Sequence, residues 1–306
     1  MKRDKLTRVF NEAKVLSYDN FSKIVLISDC HRGSGNWGDN FLSNQHLFFG
    51  ALTYYYQNGF TYIELGDGDE LWENRSLKQI ISVHSNAFWL MSKFYEQNRL
   101  YMLYGNHDIK KRNKKFCRCH CDCYYCGSDG TYCELFPNLQ VYEGIVLKHC
   151  KTGQKIFLTH GHQGDFINDK AWCLGRFLVR YVWKPLELLG VNNLTSAAKN
   201  DKKKKKVEKR LINWVQKENQ MLIAGHTHRP YFPKPGEAPY FNDGSCVHPR
   251  CITALEIENN KITLVKWTVL TKRDRSMYVG REILEGPEEI SDYMANENRL
   301  LFTNDR

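Results

Sequence analysis

Five short apolar runs in this chain each end in a compact cluster of polar residues. The runs are rich in Ile, Val, Leu, Tyr and Phe and are closed by Gly or by polar residues, which is typical of buried β-strands. They span residues 23–28, 60–66, 99–105, 155–159 and 221–225. Because ligands at the carboxyl ends of such strands converge on one crevice of an α/β sheet, the clusters predict a single site.

The clusters consist of carboxylate, imidazole and amide side chains. They read D-C-H at 29–31, G-D at 66–67, G-N-H-D at 105–108, H-G-H at 160–162 and H-T-H at 226–228, and they contain six of the 11 histidines. Carboxylate oxygen, imidazole nitrogen and Asn oxygen suit Mn²⁺, Fe²⁺ or Zn²⁺, whereas Mg²⁺ or Ca²⁺ would favour mostly carboxylates and structural zinc mostly thiolates. Each cluster alone is a weak signal, but together they predict a catalytic metal site.

The order D-x-H, G-D, G-N-H-D, H-G-H, G-H-T-H resembles the calcineurin-like metallophosphoesterase superfamily over about residues 23–270. This resemblance implies a four-layer α/β/β/α sandwich with two divalent transition-metal ions (Mn, Fe or Zn) at the sheet ends. Carried over position by position, it implies seven metal ligands: Asp29, His31, Asp67, Asn106, His160, His226 and His228. Asp29, His31 and His228 would hold one ion, Asn106, His160 and His226 the other, and Asp67 would bridge them.

The same resemblance implies a catalytic pair, His107 with Asp108. Two ions roughly 3.5–4 Å apart can share a hydroxide and clamp phosphoryl oxygens, and a bridging carboxylate offers an oxygen to each ion. His107 would donate a proton to the leaving oxygen or stabilise its charge, with Asp108 fixing its tautomer. Asp69 is expected in a turn or a supporting role, and His162 is expected to support His160.

The length of 306 residues and the 42% hydrophobic content suit one large domain with insertions. We predict a metallophosphoesterase domain over residues 1–275, with insertions at about 110–140 and 163–220, and a polar C-terminal tail over 276–306. Residues 251–258 and 261–267 alternate apolar and polar positions and predict a hairpin. No run approaches a membrane span and the start leads into no signal-peptide core, which predicts a cytoplasmic protein.

The first insertion is rich in cysteine. It contains six of the chain's 11 cysteines: Cys117, Cys119, Cys121, Cys123, Cys126 and Cys133. Without a secretion signal, metal or reduced thiols are favoured over disulfides. On a strand, alternate cysteines would line one face, so a turn would be needed to wrap them round a tetrahedral zinc ion. A structural zinc site, a reduced loop near the active site and disulfides all remain open.

The second insertion contains a basic amphipathic segment at 171–191, with Arg176, Arg180 and Lys184 opposite the apolar positions. It would cap the crevice, contact a membrane, bind acyl chains or pack on the sandwich. A helical insertion here is similar to the branch that contains UDP-2,3-diacylglucosamine pyrophosphatases, in which it covers a lipid substrate. This chain differs in having His107 where that branch has Arg, and in its cysteine-rich insertion. With Arg32, the three basic residues are candidate substrate ligands.

The formal charge of +10 favours anionic partners such as phosphate esters, nucleic acid or an acidic membrane surface. The run from Lys202 to Lys206 is either a solvated face or a contact for phosphate, lipid or nucleic acid. The sequence therefore predicts hydrolysis of a phosphodiester or pyrophosphate bond in a nucleotide- or lipid-linked substrate. An RNA-directed nuclease and a phosphoprotein phosphatase are alternatives, and a non-catalytic scaffold would not need His107.

Overall fold

Two β-sheets packed face to face form the centre of the protein. The structure is a computed structural model that describes residues 4–126, 130–163 and 201–294. Its strands are β1 Lys14–Tyr18, β2 Ile24–Ile27, β3 Thr61–Glu64, β4 Leu100–Leu103, β5 Cys123–Cys126, β6 Thr131–Glu134, β7 Val141–Tyr142, β8 Gly144–His149, β9 Lys155–Thr159, β10 Met221–Ala224, β11 Tyr240–Asn242, β12 Cys251–Glu258, β13 Lys261–Thr271 and β14 Met277–Glu289. The helices of these ranges are α1 Lys5–Glu12, α2 Gln45–Gln57, α3 Leu77–Val83, α4 Ser85–Glu96, α5 Lys114–Cys121 and α6 Asp201–Glu218.

The described strands form a larger and a smaller sheet, with β5 and β6 as a separate hairpin. The larger sheet has the order β14-β13-β12-β2-β3-β4-β7, and the smaller one β1-β8-β9-β10-β11. Strands β2, β3, β4 and β7 run parallel, as do β9, β10 and β11, while β12, β13 and β14 pair in antiparallel fashion. The five predicted apolar runs are β2, β3, β4, β9 and β10, which confirms them as strands.

Strand β2 shows how the layers are held together. Successive side chains of a strand point to opposite faces of the sheet. Ile24 and Leu26 pack into the core between the two sheets, whereas Val25 and Ile27 pack under the helices that cover the larger sheet. All four side chains are buried, which explains why the run is continuously apolar.

Helices cover both outer faces. Helices α2 and α4 lie on the larger sheet, and α1 and α6 lie on the smaller one. Helix α6 packs with the buried side chains Val207, Leu211, Trp214 and Val215, whose spacing places them on one side of a helix. The described layers are therefore α/β/β/α, and the predicted fold class is confirmed.

The C-terminal part of the chain differs from the expected tail. The predicted hairpin is confirmed as β12 and β13, which are joined by Asn259 and Asn260, both with positive φ as hairpin turns of two residues require. Residues expected to start a polar tail form β14, the 13-residue edge strand that pairs with β13. This strand carries many charged residues and is largely exposed, so it lacks the apolar alternation by which strands are recognised in a sequence.

The cysteine-rich insertion begins with a helix rather than a strand. Asn113 caps α5 by accepting hydrogen bonds from the backbone N–H groups of Lys115 and Phe116. On this helix Cys117 and Cys121 are buried together, while Cys119 is exposed. The geometry considered for a strand, with alternate cysteines on one face, therefore does not apply to Cys117, Cys119 and Cys121. In the described part of the insertion, no three metal-binding side chains converge.

Some predicted features lie outside the described residues. These are the side chain of Cys126 and the segment 171–191, with Arg176, Arg180 and Lys184. Among the helices that are described, none is long and apolar enough to cross a membrane.

Candidate metal centre

The loops that follow β2, β3, β4, β9 and β10 carry the seven predicted metal ligands, four on the larger sheet and three on the smaller one. Groups of potential ligand atoms lie within 4.8 Å of one another in three sets: Asp29 with His31 and His228, His31 with Asp67 and His107, and Asp67 with His160 and His226. Asp67 belongs to two of these sets, as expected for a residue between two ions.

The distances between ligand atoms define two neighbouring positions. On one side, Asp29 Oδ1 lies 3.0 Å from His228 Nε2 and 3.6 Å from His31 Nε2. On the other side, Asp67 Oδ2 lies 3.1 Å from His160 Nε2. The same Asp67 oxygen lies 3.9 Å from His31 Nε2. Asp67 Oδ2 thus stands between the two positions.

Several buried ligand atoms have no hydrogen-bond partner among the described residues. They are Asp29 Oδ1, Asn106 Oδ1, His160 Nε2 and His226 Nε2. Buried polar atoms are rarely left unpaired, and a role in binding a cation is one standard reason for an exception. All four atoms can donate a lone pair to a cation, so the donor set fits divalent transition metals.

Two of the histidines are fixed in the tautomer that a metal ligand needs. His160 Nδ1 lies 3.0 Å from the Leu65 carbonyl oxygen, and His31 Nδ1 lies 2.9 Å from Glu70 Oε2. Since these acceptors require N–H at Nδ1, Nε2 of each ring presents its lone pair to the crevice.

The backbone is bent sharply at most of the candidate ligands. Asp29, His31, Asp67, His226 and His228 all have φ between 49° and 71°. The motif glycines allow close approach beside them, because a Cβ at Gly105 would collide with Asp67 Oδ1 and one at Gly225 with the Ser28 hydroxyl. The motifs therefore specify backbone geometry as well as ligand chemistry.

Each of the two aspartates is held by one carboxylate oxygen. Asp67 Oδ1 accepts a hydrogen bond from His107 N at 2.7 Å, and Asp29 Oδ2 accepts one from His226 N at 2.7 Å. The Ser28 hydroxyl lies 2.6 Å from Asp29 Oδ2 and 2.7 Å from Asp243 Oδ1. Burial, reinforced by the charge of Asp29, raises the pKa of Asp243 well above its usual range. Asp243 is therefore the protonated carboxyl group in the hydrogen-bonded series Asp29–Ser28–Asp243.

A residue that sequence reasoning missed, Glu70, organises His107. Its Oε1 lies 2.8 Å from His107 Nδ1, while its Oε2 binds His31. The Trp72 ring stacks on His107 at 4.4 Å between ring centroids, and its indole N–H donates to the Asn106 carbonyl oxygen. The only feature of the sequence that could have indicated Glu70 is its position three residues after Asp67.

The predicted pairing of Asp108 with His107 is wrong. Asp108 Oδ1 accepts from Gly105 N at 2.7 Å, and its Oδ2 accepts from Lys111 Nζ at 2.9 Å. The Gly68 N–H also donates to Asp108 Oδ2, at 3.2 Å, so both carboxylate oxygens bind donors other than the His107 ring. Asp108 therefore fixes the G-N-H-D turn. Glu70, and not Asp108, is the carboxylate that binds the His107 ring.

Arg32 is also misassigned as a substrate ligand. It is fully buried, and its guanidinium binds Glu64 at 2.8 Å and Asp69 at 2.7 Å. Asp69 Oδ2 in turn forms an ion pair with Lys111 Nζ at 2.6 Å, which agrees with its predicted supporting role. Arg32 thus belongs to a buried ion-pair network beneath the site.

The electrostatics of the crevice favour bound cations. Burial by itself would lower the pKa of His160, but Asp67 and Asp29 raise it to about 9. Burial would raise the pKa of Asp67, yet the nearby histidines, His160 first, hold it far below its usual range. Burial and the neighbouring His160 lower the pKa of His226 to about 3. The carboxylates are ionised, and positive charge between them is stabilised.

His162 is fully buried beside the second position. Its ring centroid lies 5.5 Å from that of His160 and 6.4 Å from that of His226. Burial, together with the charges of His160 and His226, lowers its pKa well below the usual range, so it is neutral. The ring packs against His160, and neither ring nitrogen has a hydrogen-bond partner among the described residues.

Comparison with known proteins agrees with this geometry. The sequence model of the calcineurin-like phosphoesterase family matches residues 22–230, more than half of the chain. The chain belongs to this family. All five motif clusters lie inside the matched range. None of the curated proteins matches the sequence.

Several solved structures resemble this chain at low sequence identity. Vps29 from Chaetomium thermophilum is 12% identical with a TM-score of 0.38, over 86% of this chain and 96% of that one. Vps29 from Entamoeba histolytica, complexed with Zn²⁺, is 14% identical with a TM-score of 0.36, over 86% and 99%. A protein described as a 5′-nucleotidase from Staphylococcus aureus, in complex with alpha-ketoglutarate, is 13% identical with a TM-score of 0.35, over 92% and 57%.

Proposed function

We propose that this protein hydrolyses a phosphodiester or pyrophosphate bond with the help of two divalent transition-metal ions. The observation that carries the proposal is the pair of ligand groups joined at Asp67, with four buried donor atoms left unpaired. Two adjacent ions at such a site supply a nucleophilic hydroxide and neutralise the phosphoryl oxygens.

The proposed ligands fall into two groups. Asp29, His31 and His228 form the first, and Asn106, His160 and His226 the second. Asp67 would be shared by the two groups, and its Oδ1 also accepts a hydrogen bond from His107 N.

We assign His107 to the leaving group. Its side chain is 23% exposed, more than any other titratable group of the three ligand sets, so it faces the open side of the crevice. Glu70 binds Nδ1, which directs Nε2 outward, and raises the pKa of the ring against the effect of burial. A protonated, oriented imidazole can donate a proton to a departing oxygen. A non-catalytic scaffold has no use for this arrangement.

For the substrate we favour a phosphodiester or pyrophosphate of a nucleotide- or lipid-linked compound. The support is the overall charge of +10 and the burial of the ligand set. A phosphoprotein phosphatase is the alternative, and an RNA-directed nuclease shares the same metal chemistry.

The test uses bis(p-nitrophenyl) phosphate and diphenyl phosphate, whose phenolate is a poorer leaving group, with protein stripped of metal and reloaded with Mn²⁺. We expect reloaded wild type to be active and stripped protein inactive. His107→Ala should keep its metal and lose turnover by about 10²–10⁴-fold, more on the poorer leaving group. A reloaded wild type that cleaves no phosphodiester or pyrophosphate would contradict the proposal.

A further inference from the structure

The insertion that follows the G-N-H-D motif begins with a concentrated positive charge. Residues 109–121 contain six Lys or Arg residues and no Asp or Glu. Lys111 is buried, and its Nζ forms ion pairs with Asp69 at 2.6 Å and with Asp108 at 2.9 Å. Because Asp108 directly follows His107, these ion pairs fix the start of the insertion beside the candidate metal centre.

Helix α5 turns the other charges of this segment to solvent. Its residues Cys117 and Cys121 are buried in the core over the larger sheet, whereas Lys114, Lys115 and Arg118 are exposed. Side chains three and four positions apart lie on the same side of a helix. Lys114, Lys115 and Arg118 therefore form one exposed surface, the basic face of α5.

The hairpin of β5 and β6 exposes two aromatic rings. Tyr125 pairs with Tyr132 across the hairpin, and their ring centroids lie 5.4 Å apart. Tyr124 packs against the core, and successive residues of a strand point to opposite faces. Tyr125 is accordingly 57% exposed and Tyr132 73% exposed. The outer face of the hairpin thus offers a pair of rings to a binding partner.

Backbone hydrogen bonds hold the hairpin against the end of α5. Leu135 N donates to the Asp122 carbonyl oxygen at 2.8 Å, and Phe136 N donates to the Cys121 carbonyl oxygen at 2.9 Å. The side chains of Leu135 and Phe136 are buried in the same core as Cys121. The basic face and the tyrosine pair therefore belong to one fixed surface, with the exposed Glu134 at the base of the hairpin.

We propose that this surface binds single-stranded RNA beside the metal centre. Proteins bind single strands by combining cations that follow the phosphates with aromatic rings on which bases stack. Lys114, Lys115 and Arg118 would contact phosphates, and Tyr125 and Tyr132 would stack on bases. Unpaired bases suit RNA, which is read mostly in single-stranded regions, whereas the bases of duplex DNA are closed to stacking.

An acidic membrane surface fits the observations less well. Membrane-binding faces combine basic residues with Trp, Phe or Leu. In the described part of the insertion, the exposed large apolar side chains are Tyr125 and Tyr132, which carry hydroxyl groups. The proposal goes beyond the proposed function, since binding of RNA to this surface requires no hydrolysis at the metals.

The test measures the fluorescence anisotropy of a labelled oligouridylate of about 12 nucleotides with Mn²⁺-loaded protein over a series of NaCl concentrations. Gel electrophoresis checks that the probe stays intact. The triple variant Lys114→Gln, Lys115→Gln, Arg118→Gln should bind about 100-fold more weakly near 0.1 M NaCl. Its plot of log affinity against log salt should be less steep by about 2, because each phosphate contact to a single strand contributes about 0.7.

The matched control removes the same charge from another surface. The variant Lys272→Gln, Arg273→Gln, Arg275→Gln changes three exposed cations in the turn between β13 and β14. This turn belongs to the opposite edge of the larger sheet from β4 and β7, between which the insertion lies. The control variant should bind the probe within about twofold of wild type and keep the full salt dependence.

Substitutions of Tyr132 separate stacking from charge. Tyr132→Ala should weaken binding by about 5–100-fold with no change in salt dependence, the usual loss for one stacked base, whereas Tyr132→Phe keeps the ring and should bind like wild type. Wild-type affinity in the triple variant or in Tyr132→Ala would overturn the proposal, as would an equal loss in the control variant.

Two further probes decide between partners. Duplex DNA bound by wild type as tightly as the oligouridylate would show that charge alone is recognised, which would contradict base stacking. Binding to phosphatidylserine vesicles that is lost in the triple variant, without binding of the oligouridylate, would assign the surface to a membrane instead. All of these measurements report binding, so a protein that hydrolyses nothing but binds the oligouridylate as expected would overturn only the proposed function.

Discussion

Backbone strain is concentrated at the candidate metal ligands. Five of them are non-glycine residues with positive φ, a conformation that costs of the order of 1–3 kcal/mol for each residue. Hydrogen bonds such as His107 N to Asp67 and His226 N to Asp29 offset part of this cost. Such strain is retained where the direction of a side chain matters more than local stability.

At the scale of single residues, the sequence predicts residue types well but does not predict the directions of side chains. The motif residues could be named from the sequence because ligand chemistry restricts residue type. Asp108 was misassigned because neighbouring residues of a turn point in different directions, and Arg32 because burial cannot be read from a basic residue next to a motif. Glu70 was missed because it lies outside any motif.

The contacts of Glu70 lead to a prediction about catalysis. Glu70→Gln should lower turnover by about 10–100-fold, the usual effect of removing a carboxylate that orients a metal-bound histidine. The amide keeps the size of the side chain but cannot accept from both His31 and His107 as a carboxylate does. Steady-state kinetics and metal content are measured together. Glu96→Gln, at an exposed ion pair with Lys93, is the control and should match wild type. Normal turnover in Glu70→Gln would refute the role.

The buried network leads to a prediction about stability. Lys111→Met should lower the free energy of unfolding by about 3–5 kcal/mol, because it leaves Asp69 and Asp108 without their buried partner. Lys93→Met, at the exposed pair with Glu96, should cost about 0–1 kcal/mol. Urea unfolding at pH 7 measures both.

The loss of unfolding free energy in Lys111→Met should depend on pH, and the direction of this dependence follows from the pKa of Asp69. Burial opposes ionisation of Asp69, but Arg32 and Lys111 lower its pKa to about 2. A lowered pKa in the folded state contributes stability that is present above about pH 4 and is lost as the pH falls through 2. The difference between wild type and Lys111→Met should therefore narrow on acidification from pH 4 to pH 3. A difference that widens would contradict this account.

At the scale of elements, apolar patterning identified the strands that are buried on both faces. It missed β14, whose charged residues pair at an exposed edge, and it did not identify the helix α5. Helical spacing instead separates the cysteines into a buried pair and exposed members. Local composition does not determine whether residues 114–121 form a helix or a strand. The N-cap at Asn113 and packing against the core favour the helix.

This separation predicts different thiol reactivities. In reduced protein, Cys119, Cys123 and Cys150 should react rapidly with iodoacetamide, whereas Cys117 and Cys121 should react only after unfolding. Mass spectrometry of digested protein identifies the labelled positions. If Cys119 and Cys123 resist labelling until a chelator is added, a metal bound in the insertion would be indicated and this prediction would be wrong.

At the scale of the whole molecule, the candidate metal centre joins the two sheets. Asp29, His31, Asp67 and Asn106 follow strands of the larger sheet, and His160, His226 and His228 follow strands of the smaller one. The sequence predicted this convergence because the motifs all follow strand-like runs. It could not predict which strands share a sheet, since that depends on long-range pairing.

Because the ligands come from both sheets, metal should stabilise the entire fold. An ion that binds only the folded state at 100 times its Kd adds about 2.7 kcal/mol to the free energy of unfolding. We expect chelation to lower the unfolding temperature of wild type and Mn²⁺ to restore it. In Asp67→Asn most of the rise in unfolding temperature on adding Mn²⁺ should be absent, because the carboxylate shared by the two ligand groups is changed. The control Asp4→Asn, at the exposed N-cap of α1, should retain the full rise. Calorimetric unfolding with metal analysis measures both effects, and a full metal-dependent rise in Asp67→Asn would show that the two positions do not depend on Asp67.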